Sequence, residues 1–241
     1  MPTSTMQALR KVRPERGAAV EKISAPEIGP RDVLVRVRAA SICGTDLHIY
    51  GWDRWSASRI HPPMTFGHEF CGTVERIGSE VERIKPGEFV SAEMHVNCNH
   101  CRPCRVGQPH LCANLRIIGI DRDGCFAEFV SIPATNIWKV DPAIPEHYAA
   151  IMDPLGNAVH TVLSGEIAGQ TVGVTGAGPI GLMAITVAKA CGASTIFATE
   201  VNANRRALAL KMGADVALDP AAANVVDQVR GTTDGGVDVL L

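Results

Sequence analysis

The sequence predicts an α/β protein in two parts, a strand-rich first part followed by a doubly wound parallel sheet. Three observations carry this prediction. Asp32–Ala40 (DVLVRVRAA) alternates apolar and polar residues with the period of a half-buried strand. From Thr171 onward, short apolar runs alternate with segments of helical periodicity, the order that builds a parallel sheet. A glycine turn, Gly176-Ala177-Gly178-Pro179-Ile180-Gly181, stands between the first of those runs and the first of those helices.

The change of character near residue 155 divides the chain into domains 1–155 and 156–241. In the first, residues 73–77 and 126–132 also have strand patterns, set apart by turns such as Lys85-Pro86-Gly87-Glu88. A helix starting near Pro145 connects the two parts. In the second, strands are expected at Thr171–Thr175, Thr195–Thr199, near Val216 and at 237–241. Helices are expected at 180–190 and 205–212, the latter closed by Gly213. A complete dinucleotide fold has about six strands in the order 3-2-1-4-5-6. Four are present, so the sheet is expected to be partial, with an exposed apolar edge at its last strand.

Composition narrows the class. Hydrophobic residues make up 46% of the 241 and charged residues 20%, a globular balance. A formal net charge of −2 and the lack of a basic stripe argue against nucleic acid or anionic lipid as partners. No apolar run reaches the roughly 18 residues of a membrane span, and MPTSTMQALRK lacks the apolar stretch of a secretion signal. Four of the eight cysteines crowd between Cys98 and Cys112, which is metal-ligand spacing rather than a disulfide framework. A reducing cytoplasm is the expected compartment.

Cys98, Cys101, Cys104 and Cys112 form C-x2-C-x2-C-x7-C within a lobe of about residues 95–115. The short spacers wrap three thiolates round one ion and the longer one returns the fourth to close a tetrahedron. This favours a structural zinc with no open position, iron–sulfur ligation being the competing metal reading. His100 and His110 within the lobe read as solvated, and Cys71, Cys125 and Cys191 as small apolar residues. A second metal set is Cys43, His68 and Glu69, with Asp153 as a further carboxylate. Three ligands and an open position are what a catalytic zinc needs.

The glycine turn also has a ligand chemistry. Its glycines permit the tight turn, the approach of a pyrophosphate and close helix packing, and the phosphates sit on the helix N-terminus. Glu200 ends the next strand 19 residues after Gly181. A carboxylate there accepts from ribose hydroxyls and repels a 2′-phosphate, which favours NAD over NADP. Arg205 tempers this, since a guanidinium can pair with such a phosphate.

In their order, these motifs resemble the zinc-containing medium-chain alcohol dehydrogenases over nearly the whole chain from about Met6. Gly67-His68-Glu69-Phe70-Cys71-Gly72-Thr73-Val74 followed by the four-cysteine lobe carries the resemblance. SICGTDLHIYGWDRW from Ser41, Asp153-Pro-Leu-Gly-Asn-Ala-Val-His160 and His95 are most similar to the family's threonine dehydrogenase branch. The resemblance implies a GroES-like β-rich catalytic domain followed by a Rossmann sheet, NAD, and two zinc ions per chain. Cys43, His68 and Glu69 would hold the catalytic zinc, and Cys98, Cys101, Cys104 and Cys112 the structural one. Thr45 and His48 would form a proton relay. Asp153 would matter for activity as an outer ligand or relay member, and His95 would lie near the substrate. Gly176, Gly178, Ile180, Gly181, Glu200 and Arg205 would bind the cofactor. The implied substrate is L-threonine, oxidised to 2-amino-3-oxobutanoate, and the implied assembly a homotetramer. A polyol or diol dehydrogenase of the same family and a non-catalytic zinc module are the alternatives. With the sheet partial, the 241-residue chain alone is expected to be weakly active or inactive.

Overall fold

The structure is a computed structural model that describes residues 5–222 and 224–241. The chain forms two compact units, Met1–Asp153 and Pro154–Leu241.

The first unit is antiparallel. Its strands are β1 (Thr5–Lys11), β2 (Ala19–Ser24), β3 (Asp32–Ala40), β4 (Met64–Thr65), β5 (Phe70–Ile77), β6 (Phe89–Ala92), β7 (His95–Val96), β8 (Arg116–Ile117), β9 (Phe129–Pro133) and β10 (Ile137–Lys139). Between them lie helices α1 (Gly44–Gly51), α2 (Arg54–Arg59), α3 (Arg102–Arg105) and α4 (Glu146–Ala149). One sheet runs β10-β6-β5-β3-β9, a second β2-β1-β4, and β7 pairs with β8 at the base of the lobe.

The alternation in β3 holds from Arg36 to Ala40, but Val33, Leu34 and Val35 are all buried. This strand is central, paired to β5 on one side and β9 on the other. Val33 and Val35 join Phe70, Val74, Val90, Val130 and Ile132 in one apolar cluster. β9 starts three residues later than the pattern of 126–132 indicates. Phe126 instead donates its N–H to Phe66, and Ala127 bridges Ala8. Other partners take the first half of that apolar run.

The single helix expected from Pro145 is two: α4, then α5 (Met152–Val162). Pro154 has no N–H to continue the bonding of α4, and it is tolerated where it stands because the first turn of a helix leaves its N–H groups unpaired.

The second unit contains β11 (Thr171–Thr175), α6 (Pro179–Ala190), β12 (Thr195–Thr199), α7 (Ala203–Lys211), β13 (Val216–Leu218), α8 (Val225–Thr232) and β14 (Val239–Leu240). The order β13-β12-β11-β14 is the 3-2-1-4 arrangement, all parallel. Valines and isoleucines of β11 and β12 pack on Leu182, Ile185 and Ala188 of α6. Leu240, on the edge strand, is 68% exposed.

Candidate metal centres and cofactor turn

The four lobe cysteines lie with their sulfurs within 4.8 Å of one another, and none forms a disulfide. Cys101 Sγ is 3.4 Å from Cys104 Sγ and 3.8 Å from Cys112 Sγ. A zinc tetrahedron with bonds of about 2.3 Å has edges of about 3.8 Å, so the cage fits the ion. Backbone N–H groups of Cys98 and Asn114 donate to Cys112 Sγ, and that of Cys101 to Cys98 Sγ. The Asn114 side-chain amide donates to Cys98 Sγ at 3.5 Å and is the first cause that pulls the Cys98 thiol down to about 5. Burial pushes Cys112 the other way, to about 11. Backbone N–H groups lower Cys101 as well, so the loop favours the thiolate form that a metal needs at more than one of its sulfurs. His100 is exposed and turns its ring to the Cys98 carbonyl.

The second centre is assembled from two separate places. Cys43 caps the N-terminus of α1, while His68 and Glu69 come from the turn ahead of β5. Gly67 makes that turn with φ +90°, and a Cβ there would meet the Phe126 ring at 2.5 Å. One ligand atom from each of Cys43, His68 and Glu69 falls within 4.8 Å of the others. His68 is 1% exposed, and its Nδ1 has no hydrogen-bond partner among the described residues. Asp46 Oδ1, 3.9 Å from it, has none either.

Burial raises the Cys43 thiol and the Asp46 carboxyl above their ordinary values. Burial, then the charge of Glu93, pushes Asp153 up to about 6. Several acidic groups crowded out of water around one histidine fit a divalent cation, which would neutralise them.

Asp153 is not among the three residues that close to 4.8 Å, but it acts electrostatically on the same histidine. His95 joins this group: its Nδ1 lies 2.5 Å from Glu93 Oε1, and its own N–H donates to the same oxygen. Glu93 chiefly, and Asp153 in addition, raise the His95 ring above its ordinary value. Thr45 Oγ1 is 3.7 Å from Cys43 Sγ. His48, one turn further along α1, is exposed and meets Asp53.

Spacing alone does not single out the supporting residues. Asp46 Oδ2 accepts the Cys43 N–H at 2.9 Å, and the Ser41 hydroxyl donates to Glu69. Asp46 had a readable signal, because a carboxylate three positions after a helix N-cap is half of a capping box. Ser41, Glu93 and Asn114 had none.

In the second unit, Gly176 has φ +92°, and a Cβ on Gly181 would meet the Gly176 carbonyl at 2.0 Å. Only glycine fits at Gly181. At Gly178 a Cβ would touch nothing in the protein, so the space over the N-terminus of α6 is open to a ligand. Pro179 is the first helical residue and Ile180 the second, its side chain exposed. The turn is tied to the end of β12, where Ala177 N–H donates to Glu200 Oε2 at 3.2 Å. Asn202 N–H donates to the other oxygen and is the first cause that holds this carboxyl below its usual range. Arg205 stands 3.8 Å from Glu200 Oε2, so its charge is already opposed. The open cradle and an ionised carboxylate beside it fit a dinucleotide.

Among the described residues no helix is long and apolar enough to cross a membrane.

Comparison with known proteins agrees with this geometry. Residues 29–142 match the alcohol dehydrogenase GroES-like domain, and residues 179–241 match the zinc-binding dehydrogenase domain. The chain is 51% identical to the L-threonine 3-dehydrogenases of Symbiobacterium thermophilum and of Pyrococcus horikoshii. In each case the match covers 98% of this chain and 68% of the relative. A zinc-binding dehydrogenase from Sinorhizobium meliloti, solved bound to NADP, superposes with a TM-score of 0.90 at 39% identity, over 98% of this chain and 69% of that one. With a β-rich unit that places two metal-ligand sets and a parallel sheet that opens on a glycine cradle, the chain belongs to the zinc-binding alcohol dehydrogenases of the medium-chain, GroES-like family.

Proposed function

We propose that this protein oxidises the secondary alcohol of L-threonine to 2-amino-3-oxobutanoate, with NAD as acceptor and two zinc ions per chain. The observation that carries the substrate is the 51% identity, over 98% of the chain, to enzymes named for that reaction. Cys43, His68 and Glu69 would hold the catalytic zinc, which when bound would supply Lewis acidity toward a substrate hydroxyl. Gly176, Gly178, Ile180 and Gly181 would hold NAD, which when bound would supply the hydride-accepting chemistry.

The chain's own residues do the rest. Thr45, beside Cys43, takes up the proton the alcohol loses as its own hydroxyl proton passes on toward His48, which releases it to solvent from the exposed side of α1. Glu93 and Asp153 hold negative charge near His95, which suits the ammonium group of an amino acid substrate. The ionised Glu200, with Arg205 already opposed, supports NAD over NADP. Cys98, Cys101, Cys104 and Cys112 hold the structural ion.

The test is NADH formation by the zinc-loaded chain, beside a chimera extended with the C-terminal third of a curated relative. L-threonine, a vicinal diol and a polyol are compared as substrates. Preference for L-threonine in either protein supports the proposal. Turnover of the diol or polyol without turnover of L-threonine overturns it, and so does silence from both proteins on every alcohol.

A further inference from the structure

Taking His48 as the outer end of the proton relay, we infer that Asp53 is a positioning residue that fixes the tautomer of His48. Asp53 would hold Nδ1 as the protonated nitrogen and leave Nε2 as the one that exchanges a proton with solvent.

His48 Nδ1 lies 2.5 Å from Asp53 Oδ2. An ionised carboxylate only accepts, so Nδ1 carries the hydrogen, and the lone pair of the neutral ring is at Nε2. That is the arrangement a proton acceptor needs.

The chain aims Asp53 at this job. Trp52 ends α1 in the left-handed region (φ 57°), with its N–H on the His48 carbonyl at 2.9 Å. This reversal turns the next residue back over the last turn of the helix. Asp53 then caps α2, its Oδ1 accepting the Ser56 N–H at 2.9 Å. With one oxygen committed to the cap, the carboxylate cannot rotate, and the other oxygen is held on the ring. The Trp55 ring meets the imidazole edge-on, at 6.2 Å between centroids. The Ser56 N–H first, then His48, hold the Asp53 carboxyl below its usual range, so it stays an acceptor. An ion pair this exposed, with His48 at 61% and Asp53 at 42%, contributes little to stability. Its effect falls on which ring nitrogen is protonated.

Asp53→Asn separates the two jobs. Asparagine caps helices as well as aspartate does, so α2 keeps its start. Its amide nitrogen, however, donates toward Nδ1 and reverses the tautomer. The first readout is ¹⁵N NMR of His48 in the zinc-loaded chain at a pH where the ring is neutral. The expected result is Nδ1–H in the parent and Nε2–H in the variant, with an unchanged thermal midpoint.

The second readout is steady-state kinetics in whichever protein of the previous test turns over. The expected result is a kcat lowered about tenfold or more with KM unchanged. The double variant with His48→Ala should be no slower than His48→Ala alone. The parent tautomer retained in Asp53→Asn, or a kcat unchanged by it, overturns the inference. A fully active His48→Ala would instead sink the relay reading of His48, while the NMR result still decides what Asp53 does to the ring.

Discussion

The two metal-ligand sets of the first unit are built on opposite plans. The lobe draws its four sulfurs from fifteen consecutive residues, on loops and the short α3, with β7 and β8 paired at its base. Its cysteines, Cys112 apart, are only part-buried, and neighbouring N–H groups donate to the sulfurs. Neither α3 nor the turn after it buries a residue, so a metal bound there would supply local folding free energy. The centre at Cys43, His68 and Glu69 joins a helix N-cap to a turn 25 residues further on. Two of its three residues are buried against the main apolar cores, and Asp46 and Ser41 brace it by hydrogen bonds. Here the fold holds the ligands whether or not a metal is present. On the proposed zinc assignments, the comparison separates a metal that would make structure from a structure that would present a metal.

The largest effect that tests this contrast is on activity. Cys43→Ser should lower bound zinc from two ions to one per chain and reduce kcat/KM by about 10³-fold or more, since the Lewis acid is lost. Its thermal midpoint should move by no more than about 3 °C, because the cores that place His68 and Glu69 are intact. Metal analysis, kinetics and a melt on one preparation check all three. Cys101→Ser should also leave one ion, with a different consequence. Amide exchange across 97–115 should accelerate, and the midpoint should fall by about 5–10 °C. Activity per folded molecule should stay within about tenfold of the parent. If the Cys43 variant loses more stability than the Cys101 variant, the assignment of the two roles is reversed.

The same difference decides what could be read from the sequence. The lobe was legible because its cysteines are local: the spacing of Cys98, Cys101, Cys104 and Cys112 alone predicts the cluster in which the fold brings their sulfurs within 4.8 Å of one another. In the second unit Thr171–Thr175, Thr195–Thr199 and the glycine turn were legible for the same reason, being short elements whose pattern and punctuation are contiguous. The Cys43, His68 and Glu69 set was a weak signal that the resemblance strengthened, because no local pattern links a cysteine on one element to a histidine on another. β1 and β2 carried no clear alternation, and α1 and α2 are too short to show a period. Ser41, Glu93 and Asn114 act by geometry created on folding, and their residue types are common in any surface loop.

The smallest effect concerns charge at the buried centre, and its sign is distinctive. The Asp153 carboxyl is raised from 3.8 to about 6, by burial first and the charge of Glu93 next, with His68 opposing. The metal-free fold thus retains a proton that the unfolded chain gives up across that window. Stability from this group is present below 3.8 and is lost as pH rises towards 6. Asp153→Asn removes the loss. In metal-free protein the variant should match its parent near pH 3.5 and exceed it by about 1–2 kcal/mol near pH 7.5. The full shift corresponds to about 3 kcal/mol, reduced here because the group is not wholly shielded from water. Zinc should reverse the ranking at about pH 7.5, since a cation in the centre favours the carboxylate it meets. Denaturant titrations of both proteins, with and without zinc at the two pH values, give the four differences needed between variant and parent. A metal-free parent that gains on the variant as pH rises would mean that Asp153 is held by favourable charge rather than crowded by burial. The buried centre would then already supply the favourable charge assigned here to the metal, and the contrast with the lobe would lose its electrostatic part.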